Sequence, residues 1–313
     1  MNVHLGLDTS CYTTSFCAVD EAGSIVFDGR VPLAVAPGLR GLRQSEALFQ
    51  HLQNLGPLLA GWRNERPRDA VLGVAVSERP RPAEGSYLPV FLAGLAAARA
   101  LAAGAGVALH AVTHQEGHLR AALHGVADPP PEFLALHLSG GTTEILRARA
   151  RRAGYSLEPL GGTGDLHAGQ FIDRLGVAMG LPFPAGPALE ELAQAGREGA
   201  LRLPVAVDGL RVSFSGPLSA AERALRGGAP HADLAAAALA CLARSVRQLL
   251  ETALDATGLD TAVIGGGVAA NRRLRTELAA ALPAIRCIFA EPRLAVDNAV
   301  GVALLGWDLS AHR

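Results

Sequence analysis

His114 and His118 stand four residues apart in the run His114-Gln115-Glu116-Gly117-His118. On a helix this spacing puts two imidazoles on one face, one turn apart, which is how a helix offers a pair of ligands to a metal ion. Two packing or surface histidines would satisfy the same spacing. Thr113 ahead of the pair and Glu116 three residues later form a capping-box pattern, so the helix is expected to begin at Thr113 with both histidines in its first two turns. Glu116 is read as that cap and not as a general base. A zinc-protease helix needs its Glu directly after the first His, whereas Glu116 comes one place later and points away from the ligand face.

A second group of residues suits an anion. The hairpin turns at 8–14 and 139–143 and the strand-to-helix turn Gly265-Gly266-Gly267 each follow directly on an apolar run, and all are built from small or hydroxyl-bearing residues. Backbone N–H groups free of Cβ crowding can approach phosphate oxygens, and helix N-termini favour the same charge. One such cluster is more often a tight turn than a phosphate cradle. Three together favour a nucleotide clamp between two lobes. A further glycine-rich loop at 161–169 carries Asp165 and His167. Taken alone, Asp173 reads as a solvated helical carboxylate and Asp297 as the N-cap of the final helix.

The elements that must position these residues alternate between strand and helix. Apolar strand patterns at 3–7, 15–19, 70–76 and 107–112 accompany helical patterns at 45–59 and 88–103, and the last of these strands feeds the His114 helix. The second half opens as the first does, with a strand at 133–138, the turn Ser139-Gly140-Gly141-Thr142-Thr143 and a return strand at 145–148, which reads as an internal duplication. Helices at 171–179, 218–225 and 232–256, a buried strand at 261–264, a helix from about Asn271, a strand at 285–289 and a helix from Asp297 to about Trp307 complete the pattern. The fold class expected is α/β with parallel pairing, in two lobes built on similar sheets.

At 313 residues and 50% hydrophobic content, the chain is long enough for about two domains with sizeable cores. A net charge of -1 gives no global field that would draw the chain onto nucleic acid, so RNA contact would need a local patch or a partner. All 28 cationic side chains are Arg, which excludes a P-loop lysine, a Schiff-base lysine and a lysine base. Cys11, Cys17, Cys241 and Cys287 show no C-x-x-C spacing, so neither a zinc ribbon nor a disulfide framework is supported, and a reducing cytoplasm is expected. The opening Met1-Asn2-Val3-His4 has no basic and apolar leader and the apolar runs are short, so no export signal and no membrane span are expected.

Seven motifs, in this order and spacing, carry a resemblance over nearly the whole chain. They are Leu7-Asp8-Thr9-Ser10-Cys11, the His114–His118 run, Leu138-Ser139-Gly140-Gly141-Thr142-Thr143, Gly180-Leu181-Pro182-Phe183-Pro184-Ala185-Gly186-Pro187, Ser213-Phe214-Ser215-Gly216, Gly265-Gly266-Gly267-Val268-Ala269-Ala270-Asn271-Arg272 and Asp297-Asn298. The chain resembles the tRNA threonylcarbamoyladenosine transferase family, historically labelled glycoproteases, of the actin-like and sugar-kinase-like ATPase superfamily. The resemblance implies two RNase H-like lobes with a nucleotide and metal cleft between them, one formed by residues 1–112 with 297–313 and the other by residues 113–296. His114, His118 and Asp297 match the family's metal ligands, and two imidazoles with a carboxylate suit one divalent metal, iron or zinc. Ser139, Gly140 and Gly141 match the loop near the phosphates, and Asp173, Gly186 and Asn271 the contacts to adenosine. The implied reaction is transfer of threonylcarbamoyl from threonylcarbamoyl-adenylate to the anticodon-loop adenine of tRNA, with tRNA reached through partner proteins of the same pathway in a hetero-complex.

The sequence departs from the family pattern around the acceptor. Tyr12 and Thr13 replace an Asp-Glu pair, leaving the catalytic residues unassigned; Thr142 replaces a His, Ser77-Glu78-Arg79-Pro80-Arg81-Pro82 replaces a Gly-Pro-Gly-Leu loop, and no Lys follows Pro217. Two alternatives follow: a non-catalytic adenylate-binding paralogue that partners or regulates a true family member, and a carbamoyltransferase acting on a small hydroxylated acceptor. A sugar kinase needs no two-His, one-Asp site, and the misplaced Glu116 makes a peptidase the weakest reading.

Overall fold

The computed structural model describes residues 1–10, 12–36, 41–152 and 154–311; Cys11 of the first motif lies outside them. The chain opens with β1 (Asn2–Asp8), β2 (Thr13–Asp20) and β3 (Ile25–Pro32), then α1 (Gln44–Glu65), β4 (Ala70–Arg79), α2 (Phe91–Ala105) and β5 (Ala108–Thr113). These five strands form one sheet in the order β3-β2-β1-β4-β5, antiparallel from β3 to β1 and parallel from β1 to β5. After α3 (His114–Ala122) the same plan recurs. β6 (Glu132–Leu138), β7 (Thr143–Ala150) and β8 (Tyr155–Gly162) make an antiparallel meander. They are followed by α4 (Ala168–Ala178), α5 (Gly186–Ala193), the short strands β9 (Val207–Asp208) and β10 (Arg211–Val212), α6 (Ser215–Arg226) and α7 (His231–Thr257). Next come β11 (Thr261–Gly265), α8 (Arg272–Ala281), β12 (Arg286–Phe289), α9 (Pro292–Ala295) and α10 (Val300–Ala311). The second sheet runs β12-β11-β6-β7-β8-β10-β9, so its first five strands repeat the order and senses of the first sheet.

Period-2 alternation decides what each sheet presents to the space between them. On β1, Val3, Leu5 and Leu7 pack into a core with Trp62 of α1 and Ala93 and Ala98 of α2. His4, Gly6 and Asp8 therefore face the other side. There a Cβ on Gly6 would meet the backbone of Ala299 and Ala303, so α10 lies directly on the strand. On β6, Leu134, Leu136 and Leu138 join the large core with α4 and α7. Phe133 and Ala135 pack instead against Leu119 and Ala122 of α3 and Leu123 just after it, and His137 follows in the same alternation. Helices α3 and α10 thus fill the gap between the sheets, touching each other where Gly301 rests on the backbone of Gly117 and Ala121.

Several boundaries differ from expectation. Helix α1 runs through Pro57 to Glu65, because its buried face continues from Leu55 to Trp62. Strands β3 and β8 lie outside the expected pattern; β3 is half-buried from Ile25 to Val31 and β8 carries Pro159, and β8 takes Gly161 and Gly162 out of the expected loop. The last helix starts at Val300 and not at Asp297. The side-chain Oδ1 of Asn298 accepts the Val300 N–H at 2.9 Å, so Asn298 and not Asp297 caps that helix. Among the described residues no helix is long and apolar enough to cross a membrane.

Candidate metal and nucleotide cleft

Helix α3 starts where the capping box placed it. Thr113 Oγ1 accepts from the Glu116 N–H at 3.2 Å, and the Glu116 carboxylate accepts from the Thr113 N–H at 3.1 Å and its hydroxyl at 2.7 Å. Glu116 is therefore a cap. With the helix phased in this way, His114 and His118 turn the same edge toward the end of β6, their Nε2 atoms 3.0 Å apart. Asp297, from the segment before α10, brings Oδ1 to 3.4 Å from His118 Nε2 and 3.7 Å from His114 Nε2. Ligand atoms bonded to one ion at about 2.0–2.1 Å stand about 3–3.4 Å from one another, so this two-nitrogen, one-oxygen set is spaced to hold a metal ion with little movement.

Asp8 orients the first ligand. It is fully buried at the end of β1, and its Oδ2 accepts from His114 Nδ1 at 2.8 Å and from the Ser77 hydroxyl at 2.7 Å. Its Oδ1 accepts from the N–H and hydroxyl of Ser10. Burial alone would raise the Asp8 carboxyl, but the His114 charge beside it and the bonds from His114, Ser10 and Ser77 hold it well below the usual carboxylate range. Burial likewise opposes a charged His114, yet contact with Asp8 outweighs it and raises His114 to about 9. For His118, burial and the neighbouring His114 charge push the pKa down. With Nδ1–H donated to a carboxylate, His114 keeps Nε2 for a ligand. This carboxylate–histidine pairing is the arrangement that supports metal ligation.

The loop after β6 is built on the first turn of α4. Ser139 O accepts the Gly169 N–H at 3.0 Å and Thr143 Oγ1 accepts the Ala168 N–H at 2.8 Å. A Cβ on Gly169 would meet Gly140 at 2.6 Å, so only glycine lets helix and loop approach this closely. Gly266 comes from the neighbouring strand with φ of 91° and lies against the backbone of Leu138. Beside this junction is a largely apolar cavity of about 300 Å³, lined by Gly140, Ile172, Asp173, Gly186, Leu242 and Asn271 among others. A Cβ on Gly140 or Gly186 would meet nothing within 4 Å, so neither glycine is imposed by protein packing. Asp173 accepts the Ala185 N–H at 2.8 Å, and burial raises its pKa. The Asn271 side-chain Oδ1 caps α8 by accepting the Leu274 N–H, leaving its Nδ2 amide hydrogens for another partner.

The expected site residues thus form two adjoining groups. His114, His118 and Asp297 converge, and Gly140, Asp173, Gly186 and Asn271 line one cavity with Ser139 and Gly141 flanking Gly140. Tyr12 reaches from the β1–β2 turn to meet Phe183 edge-on at 5.6 Å, and Thr13 opens β2. Two features went unassigned in the sequence. Asp8 had no role beyond a carboxylate among hydroxyls, and His137 was not singled out, although the alternation of Phe133, Ala135 and His137 along β6 would have aimed it at α3. The His137 ring is 93% buried and its centroid stands 4.7 Å from that of His118.

A family-wide comparison matches residues 41–304 to tRNA N6-adenosine threonylcarbamoyltransferase. A protein of that description from Carboxydothermus hydrogenoformans is 34% identical over 285 residues, covering 88% of this chain and 82% of its own length. Another from Cyanothece sp. is 33% identical over 320 residues, covering 97% and 90%. Among solved structures, component A of (R)-2-hydroxyglutaryl-CoA dehydratase from Acidaminococcus fermentans superposes with a TM-score of 0.59 at 15% identity, over 99% of this chain and all of that one, a likeness of fold alone. The fold is the two-lobed actin-like ATPase architecture, and the chain belongs to the tRNA N6-adenosine threonylcarbamoyltransferase family.

Proposed function

We propose that the protein transfers a threonylcarbamoyl group from threonylcarbamoyl-adenylate to the anticodon-loop adenine of tRNA. The observation that carries this reading is the adjacency of the His114–His118–Asp297 set to the Ser139–Gly141 loop and the cavity beside it. In this reading Ile172 and Leu242 receive the adenine, and Asp173 and the Asn271 amide hold the ribose hydroxyls. The N–H groups of Gly140 and Gly141 face the phosphate at the start of α4. His114, His118 and Asp297 would hold one iron or zinc ion, which supplies Lewis-acid polarisation of phosphate and carbonyl oxygens. The exocyclic amine of the acceptor adenine forms its bond to the carbamoyl carbon, the carbon–oxygen bond to phosphate breaks, AMP leaves with the electron pair, and the amine gives up a proton. The cleft divides residues 1–112 with 297–313 from residues 113–296. With a net charge of -1, tRNA is held through partner proteins in a cytoplasmic hetero-complex.

A second reading, transfer to a small hydroxylated acceptor, is favoured by the Tyr12–Phe183 contact, which narrows the approach on the side where the family's acidic pair is missing. One experiment separates the two. Purified protein with threonylcarbamoyl-adenylate and tRNA, with and without candidate partners, should release AMP and yield modified anticodon-loop adenine by mass spectrometry, and the double variant His114→Ala/His118→Ala should lose both. AMP release coupled only to a small acceptor would favour the second reading, and no AMP release under any of these conditions would overturn both.

A further inference from the structure

The loop after β4, where the family pattern has Gly-Pro-Gly-Leu, reaches the second sheet through Arg81. The Arg81 guanidinium bonds Glu144 Oε1 near the start of β7, and Glu144 Oε2 accepts from Gln115 Nε2 at 3.1 Å. The loop is pinned to α3 by the Gln115 N–H, which bonds the Pro80 carbonyl at 3.0 Å, and Arg81's own N–H is held by Ser86 Oγ at 3.1 Å. Glu144 pairs in register with His137, whose ring centroid stands 4.7 Å from that of His118, so the ion pair lies toward the metal-ligand set. His167 precedes Ala168, whose N–H bonds Oγ1 of Thr143, the neighbour of Glu144, at 2.8 Å, and its own Nδ1 is sealed from solvent with no hydrogen-bond partner.

Sheet order fixes where this cluster stands relative to the cavity. The cavity is lined from the β11 side of β6, by Gly267, Val268 and Asn271, whereas Glu144 is on β7, in register with His137 of β6 and Gly162 of β8. An adenylate with its adenosine in the cavity and its phosphate at the Ser139–Gly141 loop would direct its acyl group toward β7. Arg81 spends one of five N–H donors on Glu144 and is half exposed, and both Glu144 oxygens can accept further bonds. A net-neutral pair of this kind suits a group that carries a carboxylate for Arg81 together with an N–H or O–H for Glu144. A bare carbamoyl group has no carboxylate to offer.

We propose that Arg81 and Glu144, with His167 beside them, form the subsite that reads the amino-acid part of the acyl donor, with Arg81 as the specificity-determining residue for its carboxylate. This rests on the adenylate reading above. It is tested by calorimetry on the full chain with three probes: AMP, a non-hydrolysable threonylcarbamoyl sulfamate of adenosine, and the same compound without the carboxylate. The wild type should bind the carboxylate-bearing analogue about tenfold or more tightly than its counterpart, as a charge-assisted fork predicts. Arg81→Gln should abolish that preference while AMP and the carboxylate-free analogue keep their affinities within about twofold. AMP binding with no carboxylate preference in the wild type, a preference that survives Arg81→Gln, or an equal loss for all three probes would overturn the assignment and leave a structural strut between the sheets. Failure of all three probes to bind the wild type would overturn the adenylate reading and this assignment with it.

Discussion

Asp8 stands behind the ligand set, bonded to one of its two histidines. One fully buried carboxylate accepts four hydrogen bonds, and of its donors only His114 belongs to the ligand set. Replacing it with Asn keeps the volume but presents an NH2 group where an acceptor is needed, and removes the charge that fixes the His114 tautomer. Asp8→Asn should weaken metal binding by about 10- to 100-fold, measured by competition with a chromogenic chelator. Affinity equal to wild type would remove Asp8 from the site. The i, i+4 histidine pair was legible in the sequence because both ligands lie on one helix, whose capping box also fixes its phase. Asp8 was not, since its partner lies 106 positions away and nothing local distinguishes a buried acceptor from an ordinary turn carboxylate. The same holds for Arg81 and Glu144, which meet only because the β4 loop folds over α3. Asp297 by itself read as a cap, and only resemblance joined it to the histidines.

At the scale of elements, the site depends on how closely α3 and α10 approach. Gly301 of α10 lies against the Gly117 carbonyl, and a Cβ there would also meet the Ala121 nitrogen at 2.9 Å, so an added methyl must push the helices apart. Overpacking against backbone costs about 1–3 kcal/mol. Gly301→Ala should lower the melting temperature by several degrees and weaken metal binding, because α3 carries two of the three ligands. Gly104→Ala is the control: a Cβ in that part of α2 meets nothing within 4 Å, and a helical Gly-to-Ala change there should be neutral or stabilising by about 0.5–1 kcal/mol. Equal destabilisation by both would dismiss the contact. Elements with two apolar faces or a clear period, such as β1, β4, β6, β11 and α7, were legible in the sequence. β3 and β8 lie farther from the centre of their sheets, half-buried and without clean alternation, and β8 contains Pro159, so the meander closes through neighbours that sequence pattern alone does not reveal.

Across the whole molecule, buried and half-buried histidines lie on or beside both sheets and the helices around them. His4, His51, His118, His124, His137 and His167 all have pKa values lowered, with burial the largest cause in each; for His51, burial opposed by the Asp8 and Asp297 charges gives about 4. A histidine whose folded pKa is depressed binds its proton more readily when unfolded, so its contribution to stability is full above the unfolded value of 6.5 and is lost as pH falls toward the folded value. His114 is opposite in sign: raised to about 9, it stabilises below 6.5 and loses that contribution as pH rises through 9. Five of these groups besides His51 oppose His114, so the metal-free protein should lose stability steeply from pH 6.5 down toward 4, each group adding at most about 1.4 kcal/mol per pH unit. His51 isolates one contribution, since its Nδ1 bonds Thr14 at 2.8 Å while its Nε2 is buried with no partner. His51→Gln, which can still bond Thr14 but takes up no proton, should flatten the acid limb of melting temperature against pH while leaving the limb near pH 9 unchanged. An acid limb as steep as wild type would show that protons taken up elsewhere on unfolding set the acid stability.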